Sequence, residues 1–321
     1  MKKWNIKRWL KIILANIIGI VALIVVLEFA AYIIDNFNVR DSLISNNKFN
    51  LQTYPLKVYS FGEFYEINKN RDGFFRPDAG TEYQNKSPIL LLGCSYTYGA
   101  GLKDEETFGF QLANFTKRCV INKAYSGWGV NTALFQLKHD DDFRQIKAPE
   151  YVIYTFIAEH IGRMMSSSYF PYQFFFQPEY KINKENCLQE QPAPSILYKS
   201  YFVRSLDRYF KYTRKNRNNE EAYNKIFDLL KMHIIEMNNE IKRLYPNAKL
   251  VVLKYPSYET WYMETSRWQE LTENDIIVLD AEKLTDINLI DVTYTISKKD
   301  VHPNAKAWEI IVPKLAEALN L

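Results

Sequence analysis

The chain has 321 residues, 47% of them apolar and 15% aromatic, with 41 Lys/Arg against 37 Asp/Glu. That much apolar material can fill a large core and excludes a globally disordered chain. Five cations (Lys2, Lys3, Lys7, Arg8 and Lys11) precede the first apolar run, and setting them aside takes the net charge from +4 to −1. No basic face for nucleic acid is therefore expected.

Residues 12–27, IILANIIGIVALIVVL, carry no charge, and apolar character continues past Glu28 to Ile34. This is about the length of a spanning helix. The flank before it is basic, and Trp4 and Trp9 stand where an interface belongs. The positive-inside rule keeps the N-terminus cytoplasmic and sends everything after Asp35 across the membrane. The run is long for a cleaved signal peptide, and no clear A-x-A site or lipoprotein cysteine follows it. Residues 1–34 thus read as a basic tip and an uncleaved signal anchor. Residues 35–85 read as a tether and extended segment, with turn formers between Arg71 and Gln84.

From Pro88 strand and helix patterns alternate. Strands are expected at Ile89–Leu92, Cys119–Asn122, Tyr151–Phe156, Leu250–Leu253 and Ile276–Leu279. Helices are expected at Thr107–Phe115, Val130–Lys138, Glu220–Leu244 and Ala305–Leu319. Such alternation implies an α/β domain over 86–321, with a parallel sheet covered by helices on both faces. An insertion at about 164–218 interrupts it. Its aromatics, Tyr169 to Phe176, either line a cleft, meet the membrane interface or form the insertion's own core. The basic run Lys211 to Arg217 adjoins NNEE and reads as a solvated helix start.

The segment PILLLGCSYTYG (88–99) carries the strongest chemical signal. Ser95 follows an apolar strand, where open α/β sheets bind ligands, unless it merely caps a helix. A serine nucleophile needs a base and a group that orients that base. Of four histidines, His233 lies in a helical pattern and His139 in the charged turn HDDDF. His302 stands before the last helix, with Asp300 two residues upstream. Asp300 can hold the imidazole Nδ1–H and stabilise the imidazolium; the bland reading makes His302 a loop or cap residue. Cys94, Cys119 and Cys187 form no CxxC or Cys/His cluster, so neither metal nor cofactor is expected. Cys94 and Cys119 read as small buried hydrophobes, and spacing does not decide whether Cys119 and Cys187 pair.

GCSYTYG (93–99), NKAYSGWG (122–129), YVIYTFIAEHIGR (151–163) and DVHPNAKAWEII (300–311) stand in the order of four sequence blocks. In these blocks the chain resembles the SGNH/GDSL hydrolases over residues 86–321. The resemblance implies a flavodoxin-like three-layer αβα sandwich, with Ser95 as nucleophile and His302 as general base. It also implies an oxyanion hole from the backbone amides of Ser95 and Gly127. Cys94 stands where the family usually has Asp. Lys299 occupies the usual position of the acid, three residues before the histidine. Asp300 is at the spacing of alginate-type O-acetyltransferases of the wider superfamily, and is taken as third member.

The block that should supply an Asn amide to the oxyanion hole reads Ala158-Glu159-His160. A carboxylate about 4 Å from an oxyanion repels it by on the order of 4 kcal/mol at an effective dielectric near 20. One oxyanion donor contributes roughly 3–4 kcal/mol, so this repulsion would cancel it. Glu159 must therefore turn away or take another role, as a modulator of the site or as a surface ion pair with Arg163. His160 is the expected replacement donor, with Asn122 and Asn131 as alternatives. The expected activity is a membrane-anchored serine esterase acting through an acyl-enzyme on Ser95. Its expected partners are the membrane, through residues 12–34, and an O-acetylated cell-envelope glycan. An extracytoplasmic O-acetyltransferase and a non-catalytic module are the alternatives.

Overall fold

The computed structural model describes residues 6–39, 56–60, 63–67, 76–165, 178–191, 200, 202–203, 220–257, 266–298 and 300–321. The chain divides into two compact units, Met1–Leu43 with Pro194–Arg217, and Ile44–Ala193 with Asn218–Leu321. In the first, the uncharged run forms helix α1 (Ile6–Val39). Its stretch Leu14–Ala31 has a mean hydropathy of 2.5 and is long and apolar enough to cross a membrane. Most of the large apolar side chains of that stretch, Leu14 to Phe29, are exposed, as lipid-facing groups would be. Glu28 is not left bare: its carboxylate accepts hydrogen bonds from the Ser200 hydroxyl (2.7 Å) and the Phe202 amide (3.0 Å).

The second unit opens with an antiparallel hairpin, β1 (Leu56–Ser60) and β2 (Glu63–Ile67). This lies within the stretch read from sequence as a tether and extended segment. The α/β body then begins with β3 (Ile89–Leu92), the short helix α2 (Ser95–Tyr98), α3 (Phe108–Thr116) and β4 (Val120–Asn122). It continues through α4 (Val130–His139), α5 (Asp142–Gln145), β5 (Tyr151–Phe156) and α6 (Glu159–Met165). A small antiparallel pair, β6 (Tyr180–Ile182) and β7 (Leu188–Glu190), precedes the long helix α7 (Glu220–Leu244). Strands β8 (Lys249–Lys254) and β9 (Ile277–Asp280) follow, then α8 (Ala281–Thr285), β10 (Thr295–Ser297), β11 (Asp300–Pro303) and α9 (Ala305–Leu319).

The central sheet is parallel with order β4-β3-β5-β8-β9. In chain order this is 2-1-3-4-5, the doubly wound flavodoxin-like arrangement, whose switch point lies between β3 and β5. Its strands are mostly apolar because both faces are covered, with polar residues such as Asn122, Lys249, Lys254 and Asp280 at strand ends. Leu90, Leu92, Val152, Tyr154, Leu250 and Val252 pack with Leu134, Leu137, Phe227, Leu230 and Ile241 of α4 and α7. Ile89, Leu91, Ile153, Val251 and Leu253 pack with Phe108, Leu112, Trp308 and Ile311 of α3 and α9. Burying each such side chain contributes about 1.5–3 kcal/mol, so the strand termini that carry the site rest on a rigid base.

Observed element ends differ from the expected ones by a residue or so, with one instructive exception. Between β3 and α3 the chain makes the extra turn α2, whose four residues are all buried. Thr107 is the N-cap residue of α3 rather than its first residue, and its hydroxyl donates to the Asp104 carbonyl at 2.7 Å. The expected aromatic cluster Tyr169 to Phe176 and the basic run at 211–217 lie outside the described residues. All three cysteines are free thiols, so Cys119 and Cys187 are not bridged.

Candidate active site

Strand β3 ends in Gly93, whose φ of +148° turns the chain sharply. A Cβ there would lie 2.5 Å from Thr97 Oγ1, so the turn needs glycine. Ser95 follows as the first residue of α2 and is 8% exposed. Its amide donates to no acceptor among the described residues, as is usual for the first turn of a helix. That leaves it free for an oxygen of a bound molecule.

At the other end of the chain, β11 pairs with β10 and delivers Asp300 and His302 just before α9. Asn304 caps α9 by accepting from the Ala307 amide at 3.2 Å, which fixes where the strand stops. His302 Nε2 lies 2.7 Å from Ser95 Oγ, across 207 residues of sequence. His302 Nδ1 is hydrogen-bonded to Asp300 Oδ1, which also accepts the His302 backbone N–H at 3.0 Å. Asp300 is buried and His302 partly exposed. With Nδ1–H donated to the carboxylate, Nε2 is left as the acceptor facing the serine hydroxyl. The Tyr96 ring sits 4.9 Å from the imidazole, centroid to centroid, and walls one side of it.

Gly127 lies in the loop after β4, with φ +81°. Two bonds hold that loop beside the nucleophile turn. The Tyr125 amide donates to the Gly93 carbonyl at 3.3 Å, and Arg163 Nη1 donates to the Trp128 carbonyl at 2.6 Å. Arg163 is thus a buried loop support. It makes no ion pair with Glu159 among the described residues, contrary to the surface-pair reading.

The expectation that His160 donates into the oxyanion hole needs correction. The ring is fully buried, its Nδ1 lies 2.6 Å from Tyr154 Oη, and its Nε2 is occluded with no partner. It packs against Tyr154 and Phe156, and burial holds it neutral, well below the usual imidazole range. The alternatives fare no better. The Asn122 side-chain amide donates to the Thr97 carbonyl (2.9 Å) and that of Asn131 to the Pro178 carbonyl (2.9 Å). Glu159, at the start of α6, is half-buried; its Oε2 is occluded without a partner. Its charge adds to burial in pushing the Tyr96 hydroxyl up, and acts weakly in the same sense on the buried Cys94 thiol.

Sequence reasoning missed Arg76. This buried guanidinium donates to the carbonyls of Tyr98 (3.1 Å), Gly99 (2.6 Å) and Leu102 (2.8 Å), and pairs with Asp104. It therefore ties down the chain that leaves the Ser95 turn. Its neighbours in the chain, a turn-rich stretch, give no signal of these partners. Among the described residues no group of His, Cys, Asp and Glu gathers in a way that could hold a metal ion.

Comparison with protein-family models gives no match, nor does comparison with curated proteins. Among solved structures the chain is similar to G-D-S-L lipolytic proteins and carbohydrate esterases. One, described as a lipolytic protein of the G-D-S-L family, is from Desulfitobacterium hafniense. It is 13% identical, with 72% of this chain and 99% of that chain covered and a TM-score of 0.43. The lipase Lip_vut3 from a goat rumen metagenome is 14% identical, with 73% and 97% covered and a TM-score of 0.43. The acetyl xylan esterase Est2A of Butyrivibrio proteoclasticus is 12% identical, with 82% and 67% covered and a TM-score of 0.42.

Proposed function

We propose that the chain is a serine esterase of the SGNH/GDSL type, anchored in a membrane by α1 and acting on ester groups of a cell-envelope carbohydrate. One observation carries the reading: the hydrogen-bonded chain from Ser95 Oγ through His302 to Asp300 at the C-terminal edge of the sheet. A buried carboxylate, an imidazole and a serine hydroxyl in this order form the relay that acyl transfer requires.

Ser95 Oγ attacks the ester carbonyl while His302 Nε2 takes its proton. Asp300 stabilises the imidazolium that forms. The Ser95 amide, with that of Gly127, receives the oxyanion. The imidazolium then protonates the departing alcohol, leaving an acyl group on Ser95. Water attacks this ester, gives its proton to His302, and the acid leaves as Ser95 is restored.

The anchor reading rests on the basic flank before α1 and on the bonds from Ser200 and Phe202 to Glu28. A cleaved leader would take that acceptor with it. An N-terminus held inside puts the esterase on the outer side, facing the carbohydrate of the cell envelope. Ser95→Ala in the full-length chain, held in detergent micelles, is expected to lower p-nitrophenyl acetate turnover by about 10³-fold or more. It should also abolish labelling by a fluorophosphonate. Turnover within tenfold of the parent would remove Ser95 from the mechanism.

A further inference from the structure

The base and its acid ride on a hairpin that stands apart from the sheet. Among the described residues β10 and β11 pair only with each other, and no ladder joins them to the five-stranded sheet. Asp300 and His302 are bonded to each other within β11. That bond orients the imidazole but does not decide how far it stands from Ser95. The 2.7 Å contact between His302 Nε2 and Ser95 Oγ is one hydrogen bond, which contributes little net stability by itself. Another contact has to fix the reach.

Tyr96 meets that need. It follows Ser95 on α2, is 4% exposed, and its ring lies 4.9 Å from the His302 ring with a tilt of 49°. The same ring meets that of Tyr255 edge to face at 5.3 Å. Tyr255 is itself held: it is buried, and its amide donates to the Phe156 carbonyl at the end of β5 at 2.8 Å. Its ring lies 5.5 Å from that of Trp308 on α9, which stacks on Phe108 of α3 at 4.4 Å. A run of packed rings therefore leads from two core helices to the imidazole. Close-packed side chains have little freedom to shift, so such a run passes position along.

We infer that Tyr96 is a positioning residue: its ring is the stop against which His302 docks, and it sets the reach from Nε2 to Ser95 Oγ. The inference rests on the Ser95 esterase reading. Because Tyr96 and Ser95 are neighbours in the chain, a shift of α2 carries nucleophile and stop together and preserves the reach. The ring makes the contact, so the hydroxyl is dispensable. Misplacing the base by about 1 Å costs on the order of 10²-fold in rate.

The test uses the full-length chain in micelles with p-nitrophenyl acetate. Tyr96→Met fills the space with a flexible chain. It is expected to lower kcat by about 10²-fold and leave KM within about threefold, since proton transfer is lost and binding is not. Tyr96→Phe keeps the ring and should stay within about fivefold of the parent. A second arm places Tyr96→Met in a His302→Ala background, where the slow residual turnover comes from the oxyanion hole and binding alone. A residue that acts through His302 should lower that residual rate by no more than about threefold. A residue that merely supports the Ser95 turn would lower it by more, and the inference falls. It falls as well if Tyr96→Met costs less than about tenfold in kcat. A loss beyond about fivefold in Tyr96→Phe also overturns it, whether or not Tyr96→Met folds. Turnover that survives Ser95→Ala sinks the esterase itself, whereas an inactive Ser95→Ala beside a fully active Tyr96→Met sinks only the role of Tyr96.

Discussion

Arg76→Met is the most severe test of how the nucleophile is held. The guanidinium is 1% exposed, donates to three carbonyls, and faces the nearly buried Asp104. It also lies 4.9 Å from the Tyr98 ring centroid. Removing one partner of a buried ion pair costs about 3–5 kcal/mol. Each carbonyl deprived of a charged donor adds about 1–3 kcal/mol where water cannot replace it. These costs overlap, so a total of about 5 kcal/mol is expected, a large share of the roughly 5–15 kcal/mol that holds a domain together. At about 2–4 °C per kcal/mol the melting temperature should fall by about 10–20 °C. Below that temperature the surviving fold should still hydrolyse esters about a hundredfold more slowly, because the turn carrying Ser95 is no longer pinned. Thermal unfolding of the full chain in micelles, followed by circular dichroism and paired with p-nitrophenyl acetate kinetics, measures both. A melting temperature within about 2 °C of the parent, with unchanged kcat, would refute the view that Arg76 organises this turn.

Asp300→Asn should cut kcat by about 10²–10⁴-fold while leaving fluorophosphonate labelling slow but present, since it spoils the imidazole tautomer and not the nucleophile; progress curves at saturating ester read the loss. His233 gives a pH test. Burial holds it at about 4, against an ordinary 6.5, with Nδ1 bonded to the Leu229 carbonyl at 2.7 Å and Nε2 occluded. Between those values the unfolded chain binds the proton and the folded chain does not. Stability should therefore fall as pH drops from about 6.5 to about 4, by about 3 kcal/mol in all, and be flat above 6.5 as far as this group is concerned. His233→Gln should lose that share of the acid slope, and urea unfolding at several pH values would show parent and variant running parallel if the reasoning fails.

What could be read from the chain follows from where the physics is local. Strands β3 and β5 announced themselves because a strand covered on both faces must be apolar at nearly every position. Helix α7 did so because one buried stripe imposes helical spacing. Ser95 and His302 were legible because each sits at a junction of elements, with Asp300 two residues away. Arg76 was not, because its four partners lie 22 to 28 residues further on and nothing in its neighbours advertises them. His160 was misplaced for a different reason. One residue on a helix is about 100° of rotation, so Glu159 and His160 face different surroundings although the text sets them side by side. Helix α2 was missed because SYTY is too short to show a period.

The base and the acid that orients it share one short strand, joined by a single intervening residue. Their mutual geometry is written into the covalent chain and survives any movement of that segment as a body. Within this relay, only the reach to Ser95 depends on tertiary order. Hydrolytic competence should accordingly behave as a single-contact reporter: absent until the last strand and helix dock, complete once they do, with little partial activity between. Recovery of turnover during refolding would then clock the arrival of the carboxy-terminal segment rather than the formation of the sheet.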